Sequence, residues 1–322
     1  MAGPISNFTV KLVELDAIDA RDRTMAISPS WCDVRMLQKS IAEIGLQTPL
    51  VVSRSKTGKH RIICGFRRFR VVRQEHWESV PCRSIEAAPA GELFLLQFWE
   101  NLAFRTLSEV EKARAVERLT TLCGLDDQQI VKQYLSHLDC RPDYRQLRRY
   151  REIDRLDDIL QEATGRGLAL DTALLIGDWP GPESRFLVDL VDAACPGRNR
   201  QRVLGELLRD LRKSEGLTAP QLWESVEGPT AEDLRAQPGR LNPAIERLRR
   251  RRYPQLSRKQ KEVRELVRRL DLPAEAGLAF PPYFEGDRVK ACLEAASAAQ
   301  LRRLALGMAE AGPELDEIFE LL

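Results

Sequence analysis

The fold of the N-terminal third is decided by the stretch Ile62-Ile63-Cys64-Gly65-Phe66-Arg67-Arg68-Phe69-Arg70. Its β-rich start ends at Gly65, and Phe66, Phe69 and Val72 then follow at helical spacing, which predicts a strand running directly into a helix. A helix N-terminus offers unpaired N–H groups and a positive dipole end, and a glycine before it lets a phosphate approach the backbone. With three arginines in four residues, this stretch predicts a polyphosphate site. The alternative is a solvated arginine face.

The flanking sequence predicts a small α+β domain. The predicted elements are a strand over residues 7–15, a helix over 35–44 that Gly45 ends, a hairpin of 49–52 and 60–64 around a turn at 56–59, and an extended piece at 79–82.

The pattern becomes helical after Gly91. Leu93, Leu96, Trp99 and Leu102 recur every three residues, and Ser108 to Glu111 forms a capping box. Further helices are predicted at 126–137, 143–156, 185–194 and 200–212, and an Ala-rich helix after Asp287. The chain is therefore divided into an α+β domain (1–105), a helical domain with a helix-turn-helix (106–216) and a basic, mainly helical region (217–322).

Composition excludes several classes of protein. The 322 residues are 43% hydrophobic, which is enough for packed cores and excludes wholesale disorder. No apolar stretch approaches the roughly 20 residues that span a bilayer, and MAGPISNFTV lacks a secretory pattern, so a soluble, cytoplasmic protein without membrane contact is expected. Seven scattered cysteines and three histidines lack the paired spacing of zinc sites, which disfavours zinc or a catalytic triad.

The formal charge of +2 hides local imbalance. Residues 141–151 carry five Arg and one Asp, and residues 239–270 carry twelve Lys or Arg against three Glu, a net charge of +9. The small total therefore does not exclude polyanionic partners.

Two further motifs accompany the Gly65 stretch. Glu100-Asn101, followed by Arg105, pairs a carboxylate with an amide, a combination that can hold a magnesium ion bridging phosphates. The loop 45–48 separates a helix from a strand and can present polar groups to a base. The alternative for Glu100-Asn101 is a pair of ordinary helix-surface residues, and the alternative for the loop 45–48 is a simple connection between a helix and a strand.

The order of these motifs resembles the ParB/sulfiredoxin-type domain, and within it the ParB partition proteins. The resemblance covers roughly residues 8–120 and implies binding of CTP and Mg²⁺. The residues it implies for the nucleotide are Gly45, Gln47, Thr48, Gly65, Phe66, Arg67, Arg68, Asn101 and Arg105, with Glu100 and Asn101 serving the metal. Arg105 is offset by one position from the family's usual arginine.

One departure from the family pattern bears on catalysis. The family's motif has Glu where this chain has Phe66, and a carboxylate there is implicated in CTP hydrolysis. Weak or absent hydrolysis is therefore expected, and no catalytic residue is assigned.

Enzymes of the same fold provide an alternative. Sulfiredoxins carry a catalytic Cys directly after the motif's glycine, but here Cys64 precedes Gly65 and lies in an apolar run. A small-molecule kinase would need a carboxylate base, for which Glu100 is the nearby candidate.

A DNA-binding element is predicted in the helical domain. Residues 125–135 and 143–151 are the two candidate helices of the helix-turn-helix, and the residues expected to reach phosphates and base edges are Arg145, Gln146, Arg148 and Arg149. The turn between the helices is longer than usual and lacks glycine, so a basic helix that binds protein, or nothing, remains the alternative.

Three functions stay open from the sequence. The leading one is a CTP-binding, DNA-associated protein of DNA partition, maintenance or regulation, with homodimerisation expected from the family. The second is a nucleotide-responsive adaptor that binds a protein partner without DNA affinity. The third is a kinase or reductase of the same fold.

Overall fold

A computed structural model describes residues 9–55, 58–270, 272–281, 288–310 and 313–321. Its internal contacts separate two compact units, residues 1–184 and 185–322. The domain limits predicted at 105 and 216 remain predictions. The architecture is the predicted one, an N-terminal α+β domain followed by helices.

The first unit is built on a four-stranded mixed sheet. Its strands are β1 (Val10–Glu14), β2 (Leu50–Arg54), β3 (His60–Cys64) and β4 (Ser79–Ile85), in the order β1-β4-β2-β3. Strands β2 and β3 form the predicted antiparallel hairpin, whereas β2 pairs with β4 in parallel. Residues 7–8 of the predicted first strand and 56–57 of the predicted turn lie outside the described residues.

Alternation along the strands divides the core into two clusters. Leu50, Val52 and Ile62 face one cluster, whereas Val51 and Ile63 face the other. Because both faces are covered in β2 and at the end of β3, these strands contain the continuous apolar runs Leu50-Val51-Val52 and Ile62-Ile63-Cys64. This burial stabilises the sheet by about 1.5–3 kcal/mol for each large side chain.

The helices of the first unit follow the predicted order. They are α1 (Arg35–Ile44), α2 (Phe66–Gln74), α3 (Ala90–Phe104), α4 (Glu109–Thr121), α5 (Asp127–Gln133), α6 (Tyr144–Asp154), α7 (Asp158–Arg166) and α8 (Leu170–Leu175), and α9 (Gly181–Ala194) leads into the second unit. The capping box of Ser108 and Glu111 is present at the start of α4. The sequence patterns did not predict the short helices α7 and α8.

The predicted helix-turn-helix region consists of α5, a 3₁₀ turn over Leu135–Leu138, and α6. Asp139 takes a left-handed conformation (φ 51°), which provides the sharp change of direction that a glycine would otherwise supply. Asp143 caps α6 by accepting a hydrogen bond from the backbone N–H of Gln146. Helix α6 packs on α4 and α5 through Leu147, Tyr150 and Ile153.

In the part that the structure describes, the second unit is helical apart from one small hairpin. Its helices are α10 (Arg198–Glu215), α11 (Ala219–Ser225), α12 (Ala231–Ala236), α13 (Leu241–Arg252), α14 (Pro254–Arg269), α15 (Ala298–Ala309) and α16 (Pro313–Glu320). Strands β5 (Ala276–Ala279) and β6 (Lys290–Leu293) pair antiparallel. The helix predicted after Asp287, a residue outside the described ranges, begins at Ala298 because β6 occupies the sequence before it.

The basic run of α13 is partly used for internal contacts. Arg247 donates hydrogen bonds to the carbonyls of Val226 and Glu227, and Arg251 pairs with Glu215 at 2.6 Å. These arginines tie α13 to neighbouring segments of its own unit. None of the helices in the described ranges combines the length and apolar character needed to cross a membrane.

Candidate functional site

One cavity in the first unit gathers most of the predicted site. It has a volume of about 290 Å³ and lies between the N-terminus of α2, the end of α3 and the loop before β2. Eight of the ten residues predicted for the nucleotide and metal line it: Thr48, Gly65, Phe66, Arg67, Arg68, Glu100, Asn101 and Arg105.

The cavity's shape depends on Gly65. This residue has a φ of 103°, in the left-handed region, and a Cβ at its position would lie 2.6 Å from Cδ2 of Leu50. Glycine therefore permits both the backbone conformation and the close packing of β2. With no side chain at Gly65 to cap α2, the first N–H groups of this helix are available to an anion.

Arg68 fastens the cavity's walls to one another. Its Nη1 donates to the carbonyl oxygens of Thr48 (2.9 Å) and Pro49 (2.7 Å), and its Nη2 lies 3.4 Å from Oε1 of Glu100. The guanidinium therefore joins the loop before β2 and α3 to α2. Its positive charge is partly balanced by the carboxylate of Glu100.

Arg67 retains more of its hydrogen-bonding capacity. Its Nη2 donates to the carbonyl oxygen of Asp33 at 2.8 Å, and within the described residues no carboxylate forms an ion pair with it. Its enclosed Nε has no partner in the same part of the chain. Arg67 is thus the arginine of the cavity whose charge is not paired with a carboxylate of the described residues, and it has N–H groups left to donate to an anion.

The end of α3 belongs to a hydrogen-bonded network. Arg105 donates to Asn101 Oδ1 (3.0 Å), Glu111 Oε2 (2.7 Å) and Ser28 Oγ (3.1 Å). The Ser28 hydroxyl in turn donates to Oε1 of Glu111 at 2.7 Å. The network fixes Arg105 at the cavity wall and connects the cavity to α4.

Glu111 is the buried anion of this network. Burial by itself raises the pKa of its carboxyl, but the hydrogen bonds and charge of Arg105, together with the Ser28 hydroxyl, outweigh it. The pKa of Glu111 therefore lies below its ordinary value, and the carboxylate is ionised at neutral pH.

Two predicted residues do not line the cavity. Gly45 ends α1 with a φ of 73°, and the exposed Gln47 donates its side-chain amide to the carbonyl of Ile44. The predicted loop therefore contributes Thr48 to the cavity wall.

Phe66 places an aromatic ring in the lining of the cavity. Its ring is half-buried, packs against both clusters of the core and lines the cavity. An aromatic ring can neither position water nor bind a cation through oxygen.

The donor set for magnesium is small. Glu100 offers a carboxylate whose contact with Arg68 is long, whereas Asn101 Oδ1 already accepts a hydrogen bond from Arg105. No cluster of three or more His, Cys, Asp or Glu able to hold a metal occurs in the described ranges. The residues fit an ion that takes one or two protein oxygens and receives its other ligands from phosphate and water.

Cys64 has the properties of a core residue. Its side chain is fully buried, and burial, reinforced by the nearby Glu100 carboxylate, raises the pKa of the thiol far above its ordinary value. The thiol is therefore protonated at neutral pH, which disfavours a nucleophilic role.

The predicted DNA-binding residues share α6 but not the same surroundings. Arg145 and Arg148 are exposed, and Gln146 is half-buried near the helix start. Arg149 forms an ion pair with Asp171 at 2.8 Å. Arg145 and Arg148 are therefore the two of the four predicted residues that are most available to a partner.

Three residues of the site did not emerge from the motifs. Ser28 and Gln97 line the cavity, and Glu111 supports it from α4. Gln97 had a sequence signal, because it interrupts the apolar run from Leu93 to Trp99. Ser28 had none.

Replacing Glu111 with Gln is predicted to lower the free energy of unfolding by about 1–3 kcal/mol at neutral pH, because Arg105 and Ser28 lose their charged acceptor. The wild-type carboxyl has a depressed pKa, so its stabilisation is full above the unfolded pKa of about 4.3 and is lost as the pH falls through the folded pKa. Urea unfolding followed by circular dichroism tests this.

The wild-type advantage over Glu111→Gln should therefore be large near neutral pH and should disappear as the pH falls through the depressed folded pKa of Glu111. Glu92→Gln, at an exposed position on α3, serves as the control and should change little at either pH. An advantage that does not change with pH would contradict the assignment.

Comparison with known proteins matches the N-terminal third of the chain to one family. Residues 3–102 match the family model described as the ParB N-terminal domain. A probable chromosome-partitioning protein ParB of Vibrio cholerae is 33% identical over 96 residues, covering 30% of this chain and 32% of the relative. A nucleoid occlusion protein of Halalkalibacterium halodurans is 32% identical over 102 residues, covering 31% and 35%.

The matches therefore span about a third of the length of these curated relatives. Among solved structures, the C-terminally truncated ParB of Caulobacter crescentus complexed with CTP-γ-S aligns with 57% of this chain and 94% of its own, at 17% identity and a TM-score of 0.28. The Pnob8-like ParB-N domain aligns with 75% and 98%, at 14% identity and a TM-score of 0.35. The family match therefore identifies residues 3–102 as similar to the ParB N-terminal domain.

Proposed function

We propose that the first unit binds CTP with Mg²⁺ and associates with DNA, in DNA partition, maintenance or a regulatory process derived from it. The observation that carries the proposal is the convergence of eight predicted residues on one cavity inside a ParB N-terminal domain. The name of the Vibrio cholerae relative, a probable chromosome-partitioning protein, supports the biological setting.

The cavity's electrostatics suit a triphosphate. Arg67, Arg68 and Arg105 place three guanidinium groups around it, and the N-terminus of α2 adds its positive dipole end. Among the described residues, Glu100 is the one carboxylate in the lining, and it would hold the metal with Asn101 beside it. The bound ion would neutralise part of the phosphate charge.

Calorimetric titration with CTP, ATP and GTP in magnesium tests nucleotide binding. Wild type is expected to bind CTP in preference to the other two. Arg67→Ala should weaken binding at least tenfold, because a charge-assisted hydrogen bond contributes about 1.5–3 kcal/mol. Arg73→Ala is the matched control, since Arg73 is exposed on the same helix and does not line the cavity. Absence of nucleotide binding at millimolar concentration would refute the proposal.

Hydrolysis of the bound nucleotide is proposed to be weak or absent. Phe66 lines the cavity where the family motif has its carboxylate, and an aromatic ring cannot activate water. A phosphate-release assay on CTP-saturated wild type should therefore give turnover far below that of a hydrolytically active ParB measured alongside. Comparable turnover would contradict this part of the proposal.

Duplex binding is proposed to use the exposed face of α6. Arg145 and Arg148 project from a helix whose opposite face is buried on α4 and α5. Mobility-shift titrations with a pool of duplexes should show salt-sensitive binding, and Arg148→Ala should weaken it and reduce the salt slope by about one. Arg166→Ala, an exposed arginine on α7, is the control.

The adaptor alternative predicts a different result in the same assays. It retains CTP binding but produces no mobility shift at low salt. The pairing of Arg149 with Asp171 is the observation that favours it, because one predicted DNA contact is already engaged within the protein. Duplex binding that does not depend on salt, or no duplex binding at all, would refute the proposed association with DNA. The proposal of a nucleotide site would not be affected.

A further inference from the structure

Gln97 is a buried amide that lines the cavity without an assigned role. Only 2% of the residue is exposed, and it belongs to the lining together with Glu100 and Asn101. Its Oε1 is enclosed and has no hydrogen-bond partner within the described residues. Its Nε2 also forms no hydrogen bond there, yet it is not among the enclosed atoms that lack a partner. The amide nitrogen is therefore the end of the side chain open to the cavity.

The position of Gln97 on α3 places it beside the candidate phosphate and metal residues. Gln97 and Asn101 are four residues apart on one face of α3, and Arg105, directly after the end of the helix, donates its Nε–H to Asn101 Oδ1 at 3.0 Å. The backbone carbonyl of Gln97 accepts a hydrogen bond from Asn101 Nδ2 at 2.9 Å. The three side chains thus form a polar row along the cavity wall.

Stability alone does not account for an amide here. The neighbouring Phe94 and Phe98 are fully buried in an apolar cluster, where among the described residues an amide has no polar partner of its own to satisfy. An enclosed oxygen without a partner lowers stability, because the oxygen loses its bonds to water. A residue that lowers stability at a binding cavity is typical of one retained for function.

We propose that Gln97 contacts the bound nucleotide, its Nε2–H donating a hydrogen bond to a phosphate oxygen. The inference rests on the proposed nucleotide function and adds a residue to it. Phosphate is favoured over sugar or base because three guanidinium groups and the N-terminus of α2 surround the same cavity. A phosphate oxygen only accepts, and the accessible end of the amide only donates.

Two variants of similar size separate this contact from other roles. Gln97→Met removes the donor and keeps an apolar side chain, and Gln97→Glu replaces the donor with a negatively charged acceptor. Calorimetric titration with CTP in magnesium should show affinity reduced about tenfold for Met, and further for Glu because it repels phosphate. Leu96→Met is the control on the same helix, since Leu96 does not line the cavity.

Thermal unfolding without nucleotide supplies a second readout. Gln97→Met should match or exceed the wild-type melting temperature, because it removes the unpartnered oxygen. Reduced CTP affinity without reduced stability would identify a ligand contact, whereas a loss of both would overturn the inference in favour of a packing role. Unchanged affinity in the Met variant would also overturn it.

The Glu variant tests the chemistry of the contact. If Gln97 accepted from a ribose hydroxyl or a base amino group, Gln97→Glu would keep its affinity, and the phosphate contact would be wrong. If wild type and both Gln97 variants bind CTP with equal affinity, the inference about Gln97 is wrong, but the proposed nucleotide site stands. Wild type that binds neither CTP nor inorganic triphosphate would overturn the proposed function with it.

Discussion

The guanidinium of Arg68 holds together the segments that form the cavity. From the first turn of α2 it binds two carbonyls of the loop before β2 and approaches Glu100 on α3. These segments are distant in sequence, so a single side chain fixes a site that local structure alone would leave open. Gly65 makes this possible, because a side chain there would meet Leu50 and crowd the Arg68 guanidinium. The glycine and the arginine therefore act together: one creates the space, and the other sets its walls.

A second network extends from the cavity to the helices that follow. Arg105 joins Asn101 to the buried Glu111, and Glu111 lies in the first turn of α4, the helix on which α6 packs. The capping box of α4 thus has two roles. The Glu111 carboxylate caps the N-terminus of the helix, and it also neutralises the Arg105 guanidinium at the cavity wall. The cavity and the basic face of α6 are consequently parts of one packed unit. A rearrangement of Arg105 on nucleotide binding would therefore change its hydrogen bond to Glu111 on α4.

Local patterns predicted much of this molecule, and long-range pairing explains what they missed. The strand, glycine and helix around Gly65, the β2–β3 hairpin and the Ser108 capping box all depend on neighbouring residues, so the sequence sufficed for them. The partner of Arg149 is 22 residues away, and that of Ser28 is 83 residues away. Nothing local indicates such contacts. The side-chain amide of Gln47 donates a hydrogen bond to the backbone carbonyl of Ile44 instead of facing the cavity. Likewise, β6 pairs with the backbone of β5 where the sequence predicts the start of a helix.

The central claim is that this cavity is built for the triphosphate of a nucleotide, and a crystal structure of the protein grown with CTP and magnesium tests it most directly. The account predicts phosphate density at the N-terminus of α2, within hydrogen-bonding distance of Arg67 and of the Gln97 amide, with the metal beside Glu100. Density for the nucleotide elsewhere on the protein, or an empty cavity at saturating CTP, would contradict it.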